Sequence, residues 1–310
     1  MKTMNETQVA VQEPQVAMSD EVGNFLDSLI LKGGPEDQQD YDRFTNLAHN
    51  LTKERMVELR KAINFALDEN TLMGHGYVKP FGYAGDFMLI EKIYQYVVNP
   101  DPRYRNWDIF FHNQAGAKAV RNRKHYFIQT CKSLVAEKKN AKVLVLGSGP
   151  ATDVCEFLSV SGRKDIKFDL VDLDQNAIDY SIKKNEAFRD QITFNKINAL
   201  RYTPYKLYDL IWTAGLFDYF KDKHFSFLIR KYYSCLAEEG RMIVGNFSTK
   251  NPSKNLMENI MEWYLNLRTE SDLFRISDDA GVDKELVSID KEPLGINLFL
   301  VLRKNLMPLN

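Results

Sequence analysis

The sequence predicts an α/β fold in which a parallel sheet carries helices on both faces, preceded by a helical segment. Two observations predict the sheet. The stretch VLVLGSGPATDV, Val143–Val154, runs an apolar strand into a small glycine-containing turn, and beyond it strand-like apolar runs alternate with helical spacing. A third observation predicts the helices: Val22, Phe25, Leu26, Leu29 and Ile30, then Phe44, Leu47, Leu51, Met56, Leu59, Ile63, Phe65 and Leu67, follow three-and-four spacing.

Taken in order, helical spacing over Val22–Ile30 ends at Gly33-Gly34-Pro35, and a second helical stretch runs from about Asp40 to Asn70. LMGHGYVKPFGYAGDF, Leu72–Phe87, holds four glycines and a proline among its aromatics and reads as an ordered irregular loop of the kind that carries sites. Helical periodicity returns over Met88–Val98 and Asn106–Leu134. Then Lys142–Leu146 reads as a strand, Ala151–Val160 as a helix, Phe168–Val171 as a strand and Asp174–Phe188 as a helix, with strands near Ile192 and at Leu207–Trp212. A helix over Asp222–Leu236 closes at Glu239-Gly240 before the strand Arg241–Asn246. Asn251-Pro252 opens another helix, to about Leu267, with asparagine as the cap and proline at the first position. A short helix near Ser271–Ala280, a strand near Leu286–Ile289 and the buried strand Gly295–Leu302 finish the chain. The resulting division is a disordered stretch over residues 1–20, a helical cap over 21–135 and the sheet domain over 136–310.

Bulk chemistry narrows the partners. The 310 residues suffice for one large domain with an added segment, and 41 basic against 42 acidic side chains leave no surplus to neutralise a nucleic-acid backbone. Cys131, Cys155 and Cys235 form no CxxC pair or disulfide framework, which fits a reducing cytoplasm. The polar N-terminus lacks the apolar core of a signal peptide, and no window reaches the roughly 18 apolar residues of a membrane span. A small or lipid-like partner is expected, and a homodimer is compatible with the sequence.

The glycine turn by itself leaves its ligand open. Gly147-Ser148-Gly149-Pro150-Ala151 lacks the third glycine of a dinucleotide fingerprint, while Asp172, at the end of the next strand, suits the ribose diol that NAD and S-adenosyl-L-methionine share. Asp174 suits a cap on the following helix. Five histidines show no metal spacing, and His75 and His112 are the two to test; no metal is expected. Arg121 and Arg123 are candidates to pair with a ligand carboxylate.

Four stretches in register, VLVLGSGPATDV, FDLVDLDQNAI, NKINAL and YDLIWTAGLFDYF, together resemble the class I S-adenosylmethionine-dependent methyltransferases. The resemblance implies a Rossmann-like sheet of seven strands ending in an antiparallel hairpin, with S-adenosyl-L-methionine as cofactor. It implies cofactor contacts from Gly147, Ser148 and Gly149, from Asp172 and Leu173, from Asn198 and Ala199 beside the adenine, and from Thr213, Ala214 and Gly215. Asp218 and Tyr219 would then be the catalytic pair turned toward the acceptor, with Phe217 beside them.

GYVKPFGYAGDF, RNRKHYF, AGLFDYF and GNFSTKNPSKNLMENIMEWYLNLRTESDL are further similar to a bacterial family associated with 3-hydroxypalmitic acid methyl ester biosynthesis, the quorum-signal synthase type. That similarity implies a lid carrying Tyr83, Gly85 and Asp86 over the pocket, Arg123 on the cofactor, and Asn246, Trp263 and Arg268 on the acceptor side. Asp86 also reads as a helix cap, and Trp263 as core.

Methyl transfer from a sulfonium is an in-line displacement, and an ionised carboxylate acceptor needs no general base. The expected function is therefore O-methylation of the carboxylate of a small or fatty-acid-like acceptor to its ester. Its rivals are methylation of a hydroxyl or amine with Asp218, Tyr219 or a histidine as base, a non-catalytic cofactor-binding module, and a nicotinamide oxidoreductase.

Overall fold

The N-terminal third is a layer of helices packed around a shared apolar core. The computed structural model describes residues 20–305, so the stretch expected to be disordered lies outside the described residues apart from Asp20. The helices are α1 Asp20–Leu31, α2 Gln38–Asn50, α3 Lys53–Ala62, α4 Leu72–Val78, α5 Phe87–Tyr94, α6 Pro102–Asn113 and α7 Ala115–Glu137.

Several of these boundaries differ from the sequence reading, each for a local reason. The stretch expected as one helix over Asp40–Asn70 breaks at Leu51-Thr52, where the Thr52 hydroxyl accepts the Arg55 N–H and starts α3, and ends in a tight turn over Asn64–Leu67. The expected helix Asn106–Leu134 is two helices parted by extended Gln114.

The expected loop Leu72–Phe87 is helical in its first half. Thr71 caps α4 by accepting the Gly74 N–H at 2.8 Å, and Leu72, Met73 and His75 are buried. Its glycines answer to packing, since a Cβ at Gly74 would lie 1.8 Å from the Asp68 carbonyl oxygen. Only Lys79–Asp86 is irregular.

Seven strands follow: β1 Ala141–Leu146, β2 Ile166–Asp172, β3 Ile192–Lys196, β4 Tyr208–Ala214, β5 Leu236–Phe247, β6 Val287–Lys291 and β7 Asn297–Arg303. They form one sheet in the order β3-β2-β1-β4-β5-β7-β6, parallel through β5, with β7 antiparallel to both its neighbours. Helices α8 Thr152–Ser161, α9 Gln175–Lys184, α10 Asp222–Tyr233 and α11 Glu270–Asp279 connect them. Phe127 and Cys131 of α7 and Val154 and Phe157 of α8 pack on one face, and Phe225 and Leu228 of α10 with Leu273 of α11 on the other. Because β1 lies between β2 and β4, strand order reverses beside it and opens a crevice at the carboxyl ends of the strands.

Two further expectations change here. Glu239-Gly240 does not separate helix from strand but forms a bulge inside β5, where Tyr208 faces Leu236, Leu210 faces Arg241, and Glu239 takes a left-handed φ of 59°. The helix expected over Asn251–Leu267 is only a wide turn, Leu256–Ile260. It ends at left-handed Glu262 (φ 51°), and the chain runs irregularly to Arg268, whose N–H bonds the Phe247 carbonyl at 3.0 Å. Leu256, Met257, Ile260, Met261 and Trp263 bury into the core of the N-terminal helices, and Asn259 bonds the Ala48 carbonyl. This tertiary anchoring overrides the helical spacing.

Among the described residues no helix is long and apolar enough to cross a membrane. A Gly74→Ala substitution drives its methyl group into backbone with nowhere to move, so the protein should lose about 2 kcal/mol or more of stability, measured by denaturant melts against wild type.

Candidate active site

The crevice at the strand ends is closed over by the Lys79–Asp86 loop to form a cavity of about 570 Å³. Its floor is the turn after β1. Gly147 and Gly149 take left-handed φ values of 66° and 52°, and the turn is sewn to β2 by Gly147 N–H to Val171 O (2.8 Å) and Gly149 N–H to Asp172 Oδ2 (2.8 Å). Ala151, at the position of the missing third glycine, is itself left-handed with φ 49°. The Ser148 hydroxyl is buried and has no partner among the described residues.

Asp172 stands at the end of β2 with its second oxygen accepting the Asp174 N–H at 3.0 Å, and burial raises its pKa. Leu173 is at the rim, largely exposed, and Asn198 and Ala199 form the neighbouring wall, the Asn198 side chain holding the Leu200 N–H at 2.8 Å. Ala214 and Gly215 border the opposite side.

Two latches hold the lid. The Tyr83 hydroxyl donates to Asp174 Oδ2 at 3.0 Å, so Asp174 joins the site while also capping α9. On the other side the Tyr219 hydroxyl donates to the Ala84 carbonyl at 2.7 Å and accepts the Trp263 indole N–H at 2.9 Å. Between them Gly85 has φ 67°, and a Cβ there would fall 2.4 Å from the Trp263 ring. Behind the lid, buried Glu91 of α5 accepts from Thr152 and, at 2.8 Å, from Lys184, fastening the lid helix to α8 and α9.

The inner end holds the charges. Arg123 of α7 is buried, its Nε donating to the Tyr94 hydroxyl at 3.2 Å, and among the described residues its two terminal nitrogens have no hydrogen-bonding or ionic partner. Burial opposes its charge, but Tyr94, Asp218 and Asp153 together hold its pKa above the ordinary arginine value. Asp218 is 1% exposed, and burial pushes its carboxyl up to about 6 against the Phe247 N–H it accepts at 2.6 Å and the cations Arg123 and Arg268.

Of the residues expected from sequence, Tyr83, Arg123, Gly147, Ser148, Gly149, Asp172, Leu173, Asn198, Ala199, Ala214, Gly215, Asp218, Tyr219 and Trp263 line this one cavity. Five do not. Thr213 is enclosed in β4. Phe217 packs edge-on against Phe225 beneath α10. Asp86 caps α5 and holds the His75 ring through both carboxylate oxygens. Arg268 is spent on Asp222, the Phe220 carbonyl and Asn246 Oδ1, which turns both Arg268 and Asn246 into braces behind the acceptor side. Arg121 and His112 bond each other away from the cavity, and burial pushes His112 down to about 4. Sequence reasoning gave no role to Phe81, Phe87, Tyr94 and Asp153; the first two and Asp153 lie inside the quoted stretches, but which side chains face the cavity depends on how α5, α7 and α8 dock.

No known family and no curated protein sequence matches the chain. Among solved structures, a possible exported protein from Bordetella parapertussis superimposes on 94% of this chain and 100% of its own, with a TM-score of 0.66 and 16% identity. The S-adenosylmethionine-dependent methyltransferase SibL superimposes on 82% of this chain and 74% of its own, with a TM-score of 0.52 and 14% identity. A putative O-methyltransferase from Nostoc punctiforme covers 61% of this chain and 58% of its own, with a TM-score of 0.50 and 16% identity. The fold is that of the class I methyltransferases. At 94% coverage the first likeness includes most of the helical layer as well as the sheet. None of these neighbours supports the narrower likeness to the 3-hydroxypalmitic acid methyl ester type.

The raised carboxyl of Asp218 has a definite consequence for stability. It binds more protons folded than unfolded between its ordinary 3.8 and about 6, so stability present below that window is lost as pH rises through it. Asp218→Asn, which keeps an oxygen for the Phe247 N–H, should match wild type near pH 4. At pH 8 it should be more stable by about 1–3 kcal/mol in thermal melts.

Proposed function

We propose that the protein is an S-adenosyl-L-methionine-dependent O-methyltransferase of a small or fatty-acid-like carboxylate, forming a methyl ester. The observation that carries the cofactor reading is the buried Arg123 guanidinium, which among the described residues has no anion in direct contact, at the inner end of a cavity floored by the glycine turn. An unpaired buried cation is costly, and a ligand carboxylate would relieve it. The unpartnered Ser148 hydroxyl fits the same ligand.

When bound, S-adenosyl-L-methionine supplies an electrophilic methyl group on a sulfonium. The chain's own residues bind and enclose. Arg123 would hold the methionine carboxylate, and the glycine turn lets backbone come close. Asp172 and Asp174 stand where ribose hydroxyls would be met, and Asn198, Ala199 and Leu200 border the adenine. Tyr83, Tyr219 and Trp263 keep the lid shut and water out. Residues 21–135 act in this reading as the cap domain.

On the acceptor side Leu216, Phe220, Phe247, Trp263 and Leu265 offer an apolar wall, and among the described residues no histidine or lysine lines the cavity. The Tyr219 hydroxyl is already engaged twice. An acceptor that arrives ionised suits such a wall. A second reading, methylation of a hydroxyl or amine, is favoured by one observation: Asp218 has one oxygen bonded to Phe247 and, among the described residues, no partner for the other. We place the protein in the cytoplasm on its three unpaired cysteines.

Calorimetry on the full chain should show binding of S-adenosylhomocysteine and none of NADH; the reverse overturns the reading. Mass spectrometry of 3-hydroxy and plain fatty acids incubated with enzyme and cofactor should show methyl esters above the enzyme-free control. Asp218→Asn should then retain ester formation at pH 7.5, whereas a loss of about a hundredfold or more would transfer the assignment to the hydroxyl or amine acceptor.

A further inference from the structure

Asp153, on the first turn of α8, falls inside the VLVLGSGPATDV stretch but has no part in the functions assigned so far. It lines the inner end of the cavity, is 9% exposed, and uses Oδ1 to accept the Val154 N–H at 2.9 Å. Among the described residues its Oδ2 has no hydrogen-bond donor, and no cationic nitrogen comes within 4 Å of the carboxylate. Oδ2 is not sealed off either, since it is absent from the enclosed polar atoms that lack a partner. It is open to the cavity.

Its surroundings are specific. Arg123 lies close enough for its charge to be felt at Asp153, yet it makes no ion pair with it. The guanidinium is instead wedged beside Gly215, where a Cβ would fall 2.7 Å from Nη1. Two buried groups of opposite sign therefore face one cavity, each short of a partner. Such a pair is unfavourable in a closed interior unless something brings an anion to one and a cation to the other. An α-amino acid group carries both on a single carbon.

We infer that Asp153 and Arg123 form a clamp for the amino-acid end of the cofactor, Asp153 taking the ammonium group and Arg123 the carboxylate. The inference rests on the proposed cofactor and adds the residue that reads its amino group. Asp218, the other buried carboxylate of the cavity, is left to the acceptor side by its bond to Phe247 at the end of β5.

The test is a cycle between ligand and protein, read by calorimetry on the full chain. The ligands are S-adenosylhomocysteine, its deaminated analogue and 5′-methylthioadenosine, which lacks the amino-acid end. The proteins are wild type, Asp153→Asn, Asp153→Glu and Asp218→Asn, each checked for folding by circular dichroism. Wild type should lose about tenfold or more in affinity when the ligand's amino group is removed. Asp153→Asn should bind S-adenosylhomocysteine about tenfold or more weakly, lose little further with the deaminated analogue, and keep 5′-methylthioadenosine within about twofold. Asp153→Glu, which retains the charge, should recover part of the affinity, and it carries the cycle if the asparagine variant does not fold.

Equal losses for all three ligands, no change in S-adenosylhomocysteine affinity, or transfer of the effect to Asp218→Asn would overturn the clamp. Failure of wild type to bind either S-adenosylhomocysteine or 5′-methylthioadenosine would instead overturn the cofactor reading and the clamp with it.

Discussion

The hydroxyl of Tyr219 is the point through which the site is closed. It donates to the lid at Ala84 and accepts from Trp263, so the N-terminal loop, the loop after β4 and the irregular segment after β5 meet on one oxygen. Gly85 fits beneath because it has no side chain to strike the indole. Trp263 in turn is held because Leu256, Met257, Ile260 and Met261 sink into the core of the N-terminal helices. The helical layer is therefore a wall of the site as well as its cover. Without this junction the strand ends would form an open crevice, exposed to the water that the proposed methyl transfer must exclude.

The cavity keeps charge where packing alone would place apolar side chains. Arg123, Asp153 and Asp218 are all nearly inaccessible, and burial has driven both carboxyls up to about 6. Holding charges there sacrifices stability, which is common where a fold keeps groups ready for a ligand. Residues that looked equally functional in the sequence do the opposite work. Arg268, Asn246, Asp86, His75 and His112 satisfy one another and nearby backbone groups, and they brace the segments around the cavity.

Much of the sheet was legible. The parallel strands β1, β2 and β4 lie within two residues of their expected places, because buried parallel strands are continuous apolar runs and their turns need small residues. Legibility failed where distant packing outweighed local signals. Gly74 and Gly76 read as loop residues but serve close helix packing. Asn251-Pro252 opened a good helical pattern that the anchoring of Trp263 cut short. Asp153 sat unnoticed because a carboxylate in a first turn ordinarily complements the helix dipole.

By itself the sequence determined the fold class, the glycine turn with Asp172 beside it, and the order of the stretches that border the cavity, since each depends on residues near one another in the chain. Only the tertiary structure decided which charged residues face the cavity and which are spent bracing it. Arg123 and Arg268 look alike in sequence; one lies without an anion beside Gly215 and the other is saturated by Asp222, Phe220 and Asn246. The difference is a matter of partners brought from far along the chain, and no local pattern encodes it.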